Sequence, residues 1–116
     1  MPKSSMRNDR LYLEDIRDAI QAIERFTAGV DEKGFVGDEL IQSAVLQKLA
    51  LIGEAAGRLS EMARSRAPEI PWKEIVGFRN VAVHAYFSVD WRIVFVTVAD
   101  DLPLLKRAIG AQLEHL

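Results

Sequence analysis

The 116 residues, 49% hydrophobic and 28% charged, are enough for one domain with its own core and exclude a disordered chain. With no cysteine and only two histidines, disulfides, thiolate metal sites and cysteine nucleophiles are excluded, and ligands are too few for most all-histidine metal sites. A formal charge of −2 argues against a protein that holds nucleic acid by bulk charge, although residues 58–79 are net positive and are where an anionic partner should bind.

Met1 to Arg10 is polar and lacks the apolar stretch of a secretory signal. No apolar run approaches the roughly 18 residues of a membrane span, so a cytoplasmic protein without membrane contact is expected. Residues 1–8 read as a flexible start. From there Leu13, Ile16, Ile20, Ile23 and Thr27 recur at helical spacing, with Asn8 or Asp9 as the N-cap. Gly29, Gly34 and Gly37 mark residues 28–37 as a loop. Asp38 caps a second helix to about Leu59, whose stripe is Ile41, Val45, Leu49, Ile52, Ala56 and Leu59. Gly53 and Gly57 inside it each cost about 1 kcal/mol against alanine, and close approach of another backbone would explain them.

Ser60 to Arg66 can add a turn or two of helix before Pro68 and Pro71 break the chain. Trp72 to about Ala85 reads as a third long helix, with Trp72 as a packing anchor. Asp90 caps a last one, which Pro103 kinks or interrupts before Leu104 to His115. Ile93 to Val98 is β-branched enough for a strand, but no other segment alternates to pair with it, and helix is the better reading. Trp91 is assigned to the core and His115 to no role. The expected fold is all-α, an antiparallel four- to five-helix bundle forming a single domain over residues 1–116.

The third long helix is apolar on two arcs. Ile75, Phe78, Val81, Ala82 and Ala85 should face the core, while Val76 and Val83 lie on a second arc suited to a second chain. Asn80 and His84, four apart, are surface neighbours. Arg79, His84 and Tyr86 cannot converge from one straight helix. They can meet if the helix ends near His84, or if two copies face each other across a two-fold axis.

Arg79-Asn80-Val81-Ala82-Val83-His84-Ala85-Tyr86 resembles the R-x4-H-x-Y motif of the HEPN superfamily. Ile52-Gly53-Glu54-Ala55 and Ile70-Pro71-Trp72 are similar to two further stretches of its HepT-like ribonuclease toxins, in the same order. The resemblance implies a HEPN-like helical homodimer with the motifs facing across a cleft. It implies a metal-independent endoribonuclease of a toxin–antitoxin system, with no cofactor. It further implies a cognate nucleotidyltransferase antitoxin that binds the toxin or adenylylates the tyrosine matched by Tyr86. The other function this leaves open is a non-catalytic HEPN dimer serving that nucleotidyltransferase as a scaffold.

Metal-free RNA cleavage needs a base for the 2′-hydroxyl, an acid for the leaving 5′-oxygen and a cation for the phosphate. Histidine suits the proton work and arginine's planar fork suits the phosphate. His84 is therefore the candidate base or acid and Arg79 the phosphate clamp. Asn80 would orient His84, and Tyr86 would contact phosphate or ribose. Arg58, Arg64 and Arg66 read as a solvated face and are the sequence candidates for holding RNA backbone. Glu54 reads as a solvated or salt-bridged carboxylate within reach of an arginine of the cleft.

Overall fold

The computed structural model describes the backbone of residues 2–84 and 88–116, and the side chains of residues 8–81 and 88–116. It is all-helical. In chain order the elements are α1 (Pro2–Thr27), α2 (Glu32–Val36), α3 (Glu39–Arg58), α4 (Glu61–Ser65), α5 (Trp72–His84), α6 (Trp91–Val96) and α7 (Leu102–Glu114), with a π-helical turn at Thr97–Asp101. Among the described residues no helix is long and apolar enough to cross a membrane.

The stripe of α1 is buried as its spacing predicts: Leu13, Ile16, Ile20 and Ile23 are sealed from solvent. They meet Val45, Leu49, Ile52 and Ala56 of α3 and Leu105 and Ile109 of α7 in one core. Among the described residues α1, α2 and α5 pack closely on α3, so its buried arc is wider than a single stripe and takes in Leu46, Gly53 and Ala55. Polar contacts fix the directions. Asp9, early in α1, meets Ser60 just beyond α3, while Lys106 of α7 pairs with Glu24, late in α1 (2.9 Å). Helix α1 is thus antiparallel to both.

The N-terminal boundary differs from the expected one. Helix α1 runs back to Pro2, a residue suited to a first turn because the missing N–H has no partner there anyway. Asp9 is therefore inside the helix and caps nothing in it. Its buried carboxylate instead accepts from the Ser60 backbone N–H (2.9 Å) and the Ser60 hydroxyl (2.6 Å). The same Ser60 oxygen caps α4 by accepting from Ala63 N (3.1 Å).

Residues 28–37 are not a continuous loop. Asp31 caps the short α2 by accepting from Gly34 N (2.8 Å), and only Gly29 needs a positive φ, at 74°. This helix puts Phe35, fully buried, edge-on to Trp91 (6.2 Å) and against Phe95 (5.8 Å) of α6. Gln42 of α3 closes its end by donating to the carbonyls of Phe35 (2.9 Å) and Val36 (2.7 Å). The expected last helix is split before Pro103, not at it. Proline has no N–H for the carbonyl of Ala99, and the chain widens into a π turn in which Leu102 N–H bonds Thr97 O, five residues back.

Asp9→Ala should destabilise the protein by about 2 kcal/mol, because it removes a buried charged acceptor and leaves two half-buried donors of Ser60 without their partner. Chemical denaturation checks this; a shift within about 0.5 kcal/mol would mean the contact is dispensable.

Candidate ribonuclease site

Helix α5 is anchored at its start by Trp72, whose indole N–H donates to the carbonyls of Arg64 and Ala67, both at 3.0 Å. Ile75 is buried in the core, and Val76 and Phe78 pack on it half-buried. Val76 corrects the two-arc reading. It does not wait for a second chain but lies on α3, with its Cγ1 3.5 Å from where a Cβ on Gly57 would stand. The side chains of Ala82, Val83 and Ala85 lie outside the described residues.

Gly53 accounts for the closeness of the two helices. A Cβ there would lie 2.7 Å from the Arg79 backbone N, 2.9 Å from Val76 O and 3.0 Å from Ile75 O, all of them backbone atoms that cannot rotate away. The backbone approach expected for the glycine pair is therefore real at Gly53. At Gly57 there is ordinary contact space, 3.5 Å to Val76 and 3.8 Å to Arg79 Nη1.

The contact brings Arg79 over the α3 surface next to Glu54. Glu54 Oε2 lies 3.6 Å from Arg79 Nη1. Its other oxygen, Oε1, accepts from Arg58 Nη2 (2.9 Å) and Nε (3.2 Å). Tyr12 of α1, and then Glu54, raise the pKa of the Arg58 guanidinium above its usual value. About half of each of the Arg58, Glu54 and Arg79 side chains is exposed, so water screens these pairs and their role in stability is small.

Asn80 is exposed on α5 beside Arg79. His84 is the last described residue of α5. The His84 side chain and the whole of Tyr86 lie outside the described residues. The three arginines proposed for RNA backbone face different surroundings. Arg58 lines an open groove of about 620 Å³ between α1 and α3, with Arg25, Lys48, Asp15, Asp18 and Glu54 as the other charged groups. Arg64 is half-buried on α4. Arg66 rests on Met62 Sδ (3.4 Å) and lines a recess with Gln112 of α7 and His115 just beyond it. The groove beside Arg79 is of mixed charge, not a basic channel.

The family model described as "Ribonuclease HepT-like" matches residues 16–111, a span that includes Glu54, Arg58 and the whole of 79–86. The chain belongs to the HepT-like ribonuclease family. It is 42% identical over 100 residues to "Probable ribonuclease HepT" of Thermococcus cleftensis, covering 86% of this chain and 91% of that protein. A "Putative RNase" of Methanocaldococcus jannaschii is 33% identical over 105 residues, covering 90% of this chain and 96% of the relative. Another from Caldanaerobacter subterraneus subsp. tengcongensis is 33% identical over 104 residues, 90% and 93% of the two chains. No solved structure gives a significant match.

Gly53→Ala should cost roughly 1–3 kcal/mol, because its methyl must push α5 off α3. Gly57→Ala should be neutral or stabilising by up to about 1 kcal/mol, through helix propensity alone. Thermal unfolding of the two variants checks both; equal effects would remove the steric account of Gly53.

Proposed function

We propose that this HepT-like ribonuclease is a metal-independent endoribonuclease toxin of a toxin–antitoxin system. It acts in the cytoplasm as a single-domain homodimer with a composite site across the dimer cleft. The observation that carries the reading is the family match spanning the complete 79–86 motif, in a chain whose Arg79 is exposed on α5 five residues ahead of His84 on the same helix.

In this reaction the 2′-hydroxyl attacks the adjacent phosphorus and the bond to the 5′-oxygen breaks. His84 of one protomer takes the hydroxyl proton, and the second copy of His84 protonates the leaving oxygen. One motif histidine per chain is too few for both roles, and two-fold symmetry supplies the pair. Arg79 stabilises the charge that grows on the phosphoryl oxygens, since its fork meets two oxygens and stays protonated. Asn80 orients the histidine and Tyr86 contacts phosphate or ribose. A cognate nucleotidyltransferase neutralises the toxin by binding it or by transferring AMP to the Tyr86 hydroxyl.

The test is cleavage of total RNA in EDTA by purified, partner-free protein, with His84→Ala beside it. The wild type should cut, and the variant should lose at least about a hundredfold in rate while remaining dimeric. A variant as active as the wild type would overturn the assignment of His84. No cleavage by a folded, unmodified wild-type dimer would favour a scaffold for the nucleotidyltransferase. Mass spectrometry of the chain co-expressed with the enzyme encoded beside it then reads AMP on Tyr86 or its absence.

A further inference from the structure

One carboxylate, Glu54, serves two arginines from two helices. Its oxygens are divided between them. Oε1 is held by two nitrogens of Arg58, one turn later on the same helix, and Oε2 is left facing Arg79 of α5. A glutamate one turn N-terminal to its arginine is the favourable order for such a pair on a helix, so the carboxylate has a fixed seat on α3.

The two contacts differ in kind. The Arg58 pair is a close, two-nitrogen hydrogen bond. The 3.6 Å separation from Arg79 is an ion pair too long for a hydrogen bond. Arg79 thus keeps its planar set of N–H donors for a phosphate while Glu54 faces one of its nitrogens. A lone carboxylate beside a phosphate-binding arginine would cancel its charge. Here Arg58 supplies the compensating cation, and the trio carries a net charge of one positive unit. An arginine with free rotamers would have to be ordered each time RNA binds; a held one does not.

We propose that Glu54 is a positioning residue that presents Arg79 to the RNA phosphate, and that Arg58 is the brace for Glu54 and not itself an RNA contact. The proposal rests on the reading of Arg79 as the phosphate clamp. It replaces the simplest role for Arg58, a backbone contact, because two of that side chain's nitrogens are committed to Glu54. Side chains this exposed carry little of the fold, so substitutions here test function without unfolding the chain.

The experiment is steady-state cleavage of a fluorescent oligoribonucleotide by the full-length wild type, Glu54→Gln, Arg58→Gln, the double variant and Arg79→Ala, with thermal midpoints measured alongside. Glu54→Gln should lower kcat by about tenfold or more, with KM within about twofold and an unchanged midpoint. The double variant should match Glu54→Gln in both constants, because a brace has nothing to hold once the carboxylate is gone. Wild-type kcat in Glu54→Gln, with Arg79→Ala inactive, would overturn the positioning role alone. An increase in KM on adding Arg58→Gln to Glu54→Gln, as large as that in the wild type, would make Arg58 an RNA contact and overturn the brace. Wild-type kcat in Arg79→Ala would overturn the clamp and this proposal together.

Discussion

The arrangement of the candidate site depends on one missing methyl group. Because Gly53 has no Cβ, the backbone of α5 from Ile75 to Arg79 rests directly on α3. That approach does two things at once. It sinks Ile75 into the core, and it carries Arg79 over the edge of α3, where the next residue, Glu54, meets it. A dipeptide on one helix therefore sets both the depth of the motif helix and the electrostatic surroundings of its arginine. The cost, about 1 kcal/mol of helix propensity at Gly53, is small beside what the packing of a whole helix returns.

Stability and chemistry draw on different parts of the molecule. Leu13, Ile16, Ile20 and Ile23 are sealed against α3 and α7, and each such side chain is worth roughly 1.5–3 kcal/mol of burial. The charged groups around Arg79 are half exposed and contribute little by comparison. The surface near the motif can thus change its charges without endangering the bundle. The mixed charge of the α1–α3 groove fits this division, since attraction for an anion is concentrated at individual arginines and not spread along a basic wall.

Much of this was legible in the sequence, for reasons that can be named. The stripes of α1 and α3 were readable because burial follows the 3.6-residue period, and Asp38 and Asp90 because a capping carboxylate acts within a few residues of itself. Ile93 to Val98 fell on the correct side because a strand without a partner cannot satisfy its backbone. Helix α2 was missed because the glycines of 28–37 signal a loop, whereas only Gly29 uses a glycine conformation and Phe35 is drawn in by two aromatic rings far along the chain. Asp9 was misread as a local cap because its partner lies 51 residues away, a distance no window resolves. At the site, the motif pointed to Arg79 and Asn80. The separation of Arg58 from Arg66 could only come from the packing, since α4 carries the latter round to α7.

The Asp9–Ser60 contact also bears on the order in which the bundle can assemble. Helix α4 is five residues long, far below the length at which a helix persists alone in water. The oxygen that caps it is held by a carboxylate from α1, so the cap is complete only when α1 has docked on α3. Helix α4 in turn supplies the Arg64 carbonyl that receives Trp72 at the head of α5. Docking of α1, winding of α4 and seating of the motif helix are therefore linked steps of one cooperative transition. The site on α5 inherits its foundation from the first helix of the chain.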